Sequence, residues 1–271
     1  MAPTDLITLS DAKTWLGIAG SSSSEDALLS RMITQISRVI FNYINRSTVL
    51  PITLTEVYDG NDKNWIQLRN WPAVSVQSVI VSGRAISASA GFGQPGYTLE
   101  PSDDDPPGHQ QILRLTGFSF LRGSSNVQIT YTCGYQISGE LHTIASPDYR
   151  ATAVGPHGAW AMDLGVVSVA TGLAMTKVAE SPASGQYSVS GGLYQFAAAD
   201  AGLSVSISYG YIPADLAMAA TEWLGERYRT KDRIGQTSKS LGGQETVSYA
   251  REQVPVFVAQ GLQNFRRVVP C

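Results

Sequence analysis

The chain has 271 residues, which is enough for one large domain or two modest domains with a buried core. Only 15% of the residues are charged and the net charge is −3, so no global basic field attracts the chain to nucleic acid or to an anionic membrane. The charge is uneven, because residues 211–271 carry 8 basic and 6 acidic groups while residues 138–210 carry 2 and 5. Only the C-terminal part is therefore mildly basic.

The sequence shows no feature of a secreted or membrane-spanning protein. Its first residues lack the basic start and apolar run of a signal peptide, and no window approaches the roughly 18 apolar residues of a membrane span. The two cysteines, Cys133 and Cys271, are expected to remain thiols in a reducing compartment. We therefore expect a soluble protein made in the cytoplasm.

Two helices are predicted near the N-terminus. Ser10 or Asp11 can cap a short helix that weakens at Gly17. A longer helix is predicted over residues 25–46, with Ser24 as its N-cap. Its apolar residues recur at steps of three and four and form one broad face: Leu28, Leu29, Met32, Ile33, Ile36, Val39, Ile40, Tyr43 and Ile44. This helix must pack along its length against other parts of the protein.

From Pro51 onward the pattern changes to the two-residue alternation of strands. A first β block is predicted up to Tyr135, with strands at residues 53–58, 65–68, 74–81, 97–99, 112–115 and 126–132. Residues 138–210 form a second β-rich stretch, which Pro, Gly and Ser interrupt at short intervals. Its best strands lie at residues 165–169, 187–189, 193–197 and 203–209, and they predict a small antiparallel sandwich or barrel.

The C-terminal part returns to helical patterns. Pro213 suits the first position of a helix that runs to about residue 230. Residues 236–244 are rich in Ser and Gly and are predicted to be mobile. A last amphipathic segment covers residues 255–268.

A near-repeat organises these elements. The segment Ile129–Tyr135 (ITYTCGY) is echoed by Ile207–Tyr211 (ISYGY), and only the second copy leads into a helix. We interpret residues 138–210 as a β domain inserted between the last core strand and the helix that follows it. The predicted fold class is α+β, with a first core part at 1–137, the inserted antiparallel sandwich or barrel at 138–210, and a second core part at 211–271.

The sequence contains no strong catalytic or metal-binding pattern. The three histidines, His109, His142 and His157, lie in loop-like sequence without ligand spacing. The acidic run 103–105 is followed by prolines and fits a solvated loop better than a calcium site. No catalytic residue, cofactor or metal site is predicted.

The order of several motifs resembles the head–tail connector (adaptor) family of long-tailed bacteriophages. Its members begin with a phrase similar to Leu9–Leu16 (LSDAKTWL), and a long helix then ends near a phrase similar to Asn45–Pro51 (NRSTVLP). The strand segments Asn70–Val79 and Val127–Tyr135 are similar to two further family segments. The helix entry Ile212–Leu216 (IPADL) and its end at Glu226–Arg229 complete the resemblance. The stretch 138–210 departs from it, because most members lack this stretch.

The resemblance implies a structural virion protein in the neck of the particle, a homo-oligomeric ring of commonly about twelve copies. Such a ring joins the portal protein to the next neck or tail-completion protein, and it extends the channel through which double-stranded DNA passes during genome ejection. Candidate portal or subunit contacts are Phe257, Phe265, Arg266 and Arg267, although this segment could equally pack on its own core. Candidate DNA-channel contacts are Arg227, Arg229, Lys231 and Arg233, although helix-end charge complementarity explains them about as well.

Two other functions stay open at the level of sequence. A β-rich tail or carbohydrate-binding module would explain residues 138–210 but not the flanking helices. A hydrolase would need paired acids, and the candidates show no paired spacing: Asp148, Asp163 and Glu180.

Overall fold

The protein has an α+β fold, as the sequence predicts. The computed structural model describes residues 5–100, 111–231, 238–241, 245–248 and 254–267. The chain divides into two compact units: a helical unit from Met1–Ser47 and Ala214–Cys271, and a β unit from Thr48–Pro213. Several residues considered above lie outside the described part of the chain: Asp103–Asp105, His109, Arg233 and Cys271.

The helical unit is built on two long amphipathic helices. Its helices are α1 (Leu9–Leu16), α2 (Asp26–Tyr43), α3 (Ala214–Arg229) and α4 (Val256–Leu262). The predicted apolar face of α2 is buried at Leu29, Ile33, Ile36 and Ile40, which are spaced by three or four residues. Each such buried aliphatic side chain contributes about 1.5–3 kcal/mol. The unit is therefore held together mainly by the face that the sequence predicts.

The helix ends differ from the prediction by a few residues. Thr8, and not Ser10 or Asp11, caps α1, because its hydroxyl accepts from the Asp11 amide at 3.0 Å while the Asp11 carboxylate accepts from the Thr8 amide at 3.1 Å. At the start of α2, Glu25 occupies the cap position without a side-chain hydrogen bond, so Ser24 is not the N-cap. Pro213 ends a strand, and α3 begins one residue later.

The first half of the β unit is a pair of packed sheets. Its strands are β1 (Ile52–Gly60), β2 (Trp65–Gln67), β3 (Ala73–Val81), β4 (Arg84–Ile86), β5 (Gly96–Leu99), β6 (Ile112–Thr116) and β7 (Gly123–Cys133). The strands form two antiparallel sheets, with the orders β1-β7-β3-β4 and β2-β6-β5. One hydrophobic cluster joins both sheets, with Val79 and Ile129 from the first and Leu113 and Leu115 from the second. The predicted β block is thus a small sandwich.

The second half of the β unit is also built from two sheets. Its strands are β8 (Gln136–Thr143), β9 (Arg150–Thr152), β10 (Gly158–Ser168), β11 (Thr176–Lys177), β12 (Gln186–Ser190), β13 (Leu193–Phe196) and β14 (Ser204–Pro213). The sheet orders are β10-β14-β8 and β11-β12-β13-β9. All pairs are antiparallel except the two-residue pair β11–β12.

A hairpin lies in the predicted Ser/Gly-rich segment. It pairs β15 (Ser238–Leu241) with β16 (Glu245–Ser248) in antiparallel register. The other residues of 236–244 lie outside the described part of the chain, so their predicted mobility stays a prediction.

A buried carboxylate connects the two sheets of the second sandwich. Asp163 on β10 has a side chain that is only 5% exposed, and it accepts hydrogen bonds from the hydroxyls of Tyr187 and Tyr194, both at 3.0 Å. Lys177 Nζ lies 3.0 Å from the same carboxylate, and Trp160 Nε1 donates to the Tyr194 hydroxyl at 3.2 Å. Burial, together with the neighbouring carboxylate, raises the pKa of both tyrosines. Asp163 is therefore a structural acceptor for groups on three strands.

Removing the Asp163 carboxylate should destabilise the second sandwich. Asp163→Ala leaves two buried hydroxyls without their acceptor, so we expect it to lower the free energy of unfolding by about 2–4 kcal/mol. Asp148→Ala is the matched control, because Asp148 is exposed and its loss should cost less than about 0.5 kcal/mol. Urea denaturation followed by fluorescence measures both variants. Equal stability of the two would contradict the structural role.

The two Gly–Tyr phrases of the near-repeat meet in the structure. The Tyr211 amide donates to the Tyr135 carbonyl at 3.1 Å, and the two rings contact edge-on with centroids 5.8 Å apart. A Cβ on Gly134 would lie 2.6 Å from Pro51 N, and one on Gly210 would lie 2.7 Å from Pro51 Cδ. Both glycines therefore permit a close approach to Pro51. Since the chain leaves and returns at adjacent points, the geometry supports our proposal that residues 138–210 are an insertion.

A deletion tests this proposal directly. Replacing residues 138–210 with a two-glycine link should leave the helices and the first sandwich folded, because residues 135 and 211 are already hydrogen-bonded neighbours. Circular dichroism and thermal unfolding of the shortened chain, compared with the full chain, measure the outcome. Global unfolding of the shortened chain would refute the insertion.

Candidate assembly interface

The phrase Leu9–Leu16 forms a rigid N-terminal module in the helical unit. Gly17 ends α1 in a left-handed conformation, with φ of 69°. The buried Lys13, which is 6% exposed, sends its ammonium group to the carbonyl of Ser22 at 2.6 Å and to the Asp26 carboxylate at 2.6 Å. Lys13 therefore ties α1 to the following loop and to the first turn of α2. These contacts explain why a lysine occupies a buried position on α1.

A groove opens beside this module. It is lined by residues of α1, α3 and α4 and the adjoining turn, and has a volume of about 490 Å³: Trp15, Glu222, Gly225, Glu226, Arg229, Thr230 and Phe257. Trp15 is 43% exposed and Phe257 is 47% exposed. In α4, Val258 and Leu262 are buried one turn apart, so Phe257 is left at the surface. We call this feature the Trp15–Phe257 groove.

Gly225 shapes the floor of the groove. A Cβ at this position would lie 2.7 Å from Trp15 Nε1, so the indole rests directly on the backbone of α3. Glycine inside a helix costs about 1 kcal/mol relative to alanine. Its position inside a predicted helix, directly after Trp223 and Leu224, is the sequence signal that could have indicated a close approach here. Trp15, Glu222 and Glu226 were not predicted as contacts either.

The rim of the groove carries charges of both signs. Glu222 and Glu226 are four residues apart on α3 and therefore lie on the same helical face. Within the described part of the chain, neither carboxylate forms an ion pair, and the same holds for Arg229. The groove thus combines two aromatic side chains with a net negative rim.

The predicted DNA contacts at the end of α3 have different environments. The Arg227 guanidinium lies over the Trp223 ring at 5.0 Å. Lys231 lies 4.2 Å from the centre of the Tyr228 ring and 3.6 Å from the Glu25 carboxylate. Arg229 instead lines the groove, and Arg233 is outside the described residues. Two of these cations therefore have intramolecular partners.

The predicted C-terminal contact residues also lie in different environments. Phe257 faces the groove, whereas Phe265 is buried in the helical unit. Arg266 lies over the Tyr43 ring at 5.4 Å, and the Arg267 amide donates to the Ile44 carbonyl at 2.8 Å. Phe257 is the member of the set that is placed to meet another molecule, and the portal role of all four stays a prediction.

His142 and Glu140 of the β unit serve local structure. Among the described residues, no group of three or more His, Cys, Asp or Glu side chains is arranged to hold a metal ion. His142 Nε2 lies 2.6 Å from the Glu140 carboxylate, which also accepts from Tyr209. Burial alone would raise the pKa of Glu140, but the hydrogen bonds from Tyr209, the Val154 amide and His142 outweigh it and lower that pKa. No described helix is long and apolar enough to cross a membrane.

The first third of the chain matches a known protein family. Residues 6–90 match the family model described as phage gp6-like head-tail connector protein, which confirms the resemblance over α1, α2 and the first four strands. No curated protein matches the sequence. One similar solved chain comes from the neck of an empty GTA particle computed with C6 symmetry; it is 11% identical, with 100% of this chain and 94% of that chain covered, at a TM-score of 0.42. That score is too low to establish a common fold.

The bridge from Lys13 should be required for a stable helical unit. Lys13→Met leaves the Ser22 carbonyl and the Asp26 carboxylate without their donor, so we expect the free energy of unfolding to fall by about 2–4 kcal/mol. Arg38→Met is the control, because Arg38 is exposed on α2 and its replacement should cost less than about 0.5 kcal/mol. Chemical denaturation followed by circular dichroism at the helical band measures both. A stability loss no greater than that of the control would contradict the bridge.

Proposed function

We propose that the protein is a structural component of a phage particle, located in the neck between head and tail. Identical copies form a ring, which joins the portal of the head to the next neck or tail-completion protein. The observation that carries the proposal is the family match over residues 6–90. The matched part includes α1 and α2, which Lys13 and Asp26 hold together.

Several properties of the chain support a role in assembly. Only 15% of its residues are charged, and interfaces that stay closed exclude charge from their centres. The Trp15–Phe257 groove leaves two aromatic side chains partly exposed at one place, and aromatic residues are enriched at the energetic centres of protein interfaces. The helical unit therefore has a surface suited to another protein.

In this proposal the ring also extends the channel for double-stranded DNA. A channel wall contacts DNA through phosphates, without reading sequence, so a modest number of exposed cations is sufficient. Arg227 and Arg229 at the end of α3 are both exposed, and neither forms an ion pair with a described residue. We propose that this end of α3 faces the channel.

We propose that the protein is not an enzyme. Of the three acids that a hydrolase would use, Asp163 is buried and accepts from Tyr187 and Tyr194. Asp148 and Glu180 are exposed on loops of the β unit. Asp163 is thus committed to structure, which removes the one buried acid of the set from a catalytic pair.

Mixing the purified protein with the portal protein of the same particle tests the ring. Mass photometry should show a species with the portal mass plus many copies of this chain, and electron microscopy should show a ring stacked on the portal. The reconstruction also reports whether Arg227 and Arg229 face the channel. A portal from an unrelated phage is the control and should not bind.

The proposal fails if the protein stays monomeric with its own portal and is absent from purified particles. A ring whose channel wall lacks the end of α3 would refute the DNA-contact part alone.

A further inference from the structure

The first strand of the β unit ends in an Asp–Gly sequence. Asp59 and Gly60 form the only Asp–Gly pair of the 271 residues, and the sequence contains no Asn–Gly pair. In such a pair the amide nitrogen that follows the aspartate can attack the side-chain carboxyl, because glycine has no Cβ to hinder the approach. The product is a five-membered imide, which water opens to aspartate or to isoaspartate. Asp59–Gly60 is therefore the sequence of this chain that is most prone to such a reaction.

Local packing requires both residues of this pair. A Cβ on Gly60 would overlap the backbone carbonyl oxygen of Leu121, so a larger residue does not fit there without a shift of the backbone. The Asp59 carboxylate accepts a hydrogen bond from the Ser125 amide at 2.5 Å, and Ser125 has a left-handed conformation with φ of 51°. The fold therefore places a chemically labile sequence at this position because both side chains serve the packing.

The pair lies at a place where the sheet opens easily. β1 is an edge strand of its sheet, and its register with β7 shifts between Tyr58 and Gly60. Asp59 is exposed, so water reaches its carboxylate. The irregular end of an edge strand opens locally more often than the centre of a sheet. The Gly60 amide would therefore be free to react during such openings unless another group holds it.

The side chain of Asn126 holds the amide that would react. Its Oδ1 accepts a hydrogen bond from the Gly60 amide at 2.9 Å. Its Nδ2 donates to the Leu121 carbonyl at 2.7 Å and to the Ser82 hydroxyl at 3.1 Å, so this side chain is fixed from both ends. The Gly60 nitrogen must break its bond to Asn126 before it can turn toward the carboxyl carbon of the preceding residue.

We propose that Asp59–Gly60 is a site of spontaneous aspartate isomerisation and that Asn126 suppresses the reaction in the folded protein. In the reaction the Gly60 nitrogen forms a bond to Asp59 Cγ and loses its proton, which leaves with the OH of the protonated carboxyl as water. Water then adds to the imide and breaks the bond between the nitrogen and one of its two carbonyl carbons. Cleavage at the main-chain carbonyl gives isoaspartate, and the backbone becomes one atom longer. The extra atom displaces Gly60 from the space beside the Leu121 carbonyl.

Incubation in H₂¹⁸O tests the proposal, because each imide that opens takes up one ¹⁸O atom. Peptide mapping measures the label and the isoaspartate at position 59 in the folded protein and, as the reference, in the same chain unfolded in guanidinium chloride. Asn126→Ala should isomerise about two- to tenfold faster than the unaltered protein when both are folded, because one hydrogen bond no longer opposes the opening. The two chains should react at the same rate when both are unfolded.

Two control variants identify the cause. Asp59→Glu should lose the labelled product at this position, because the imide of a glutamate has a six-membered ring and forms more slowly. Ser82→Ala removes a different hydrogen bond of Asn126 and leaves the bond to Gly60 in place, so it should isomerise at the rate of the unaltered protein. Equal acceleration by Ser82→Ala and Asn126→Ala would overturn the proposal, since general loosening of this region would then be the cause.

Hydrogen exchange of the Gly60 amide gives a readout that needs no variant. In the unaltered protein this amide should exchange more slowly than in the unfolded chain, and isomerisation should be slowed with it, because both reactions require the bond to Asn126 to open. If Asn126→Ala does not fold, this measurement decides: a protected amide supports the proposal and an unprotected amide refutes it. Isomerisation of the folded, unaltered protein at the unfolded rate would refute it as well, as would a folded Asn126→Ala that reacts no faster than the unaltered protein.

Discussion

The close packing of three chain segments around Pro51 is the constraint on which the β unit depends. Tyr135 donates from its amide to the Val49 carbonyl at 2.9 Å, and Tyr211 donates to Tyr135 at 3.1 Å. Glycine is required beside Pro51 both between β7 and β8 and within β14, because a Cβ on Gly134 or Gly210 would overlap it. The chain enters the β unit, passes from one sandwich to the other and leaves the unit within this one region. The near-repeat in the sequence therefore reflects one packing requirement that both segments meet, which is a glycine next to Pro51.

Carboxylates that accept from tyrosine hydroxyls stabilise both sandwiches. Glu56 accepts from Tyr58 and Tyr131, both at 2.5 Å, and Asp163 has the corresponding role in the second sandwich. A buried hydroxyl without a partner costs about 1–3 kcal/mol, so these acids are needed for the tyrosine-rich cores. Glu222 and Glu226 on α3 differ from these acids, because among the described residues neither carboxylate forms an ion pair or accepts from a tyrosine.

The sequence predicted helices and strands where one face of a long segment is buried. It could not predict which strands pair with each other in the sheets. The periodicity of α2 and the alternation in β3 and β7 are strong because their cores are continuous. The short strands β4, β9 and β11 were not predicted, since two or three residues carry no period, and the eight-residue strand β8 was not predicted either. Successive strands β1 and β2 belong to different sheets, a fact that depends on tertiary contacts. The groove was missed for the same reason, because its floor exists only where Gly225 meets Trp15 across two distant segments.

The segment Leu9–Leu16, which is similar to the first motif of the connector family, contributes both to the interior and to the surface of the helical unit. Lys13 turns inward and fixes α1 to α2, whereas Trp15, two residues later on the same helix, remains partly exposed against Gly225. A helix of eight residues is too short to be stable alone, so the Lys13 bridge and the contact of the indole with Gly225 together hold the tryptophan in place. An exposed aromatic that is held this firmly loses little entropy when a partner covers it. This argues that the N-terminal phrase positions a binding surface as well as completing the core of the helical unit.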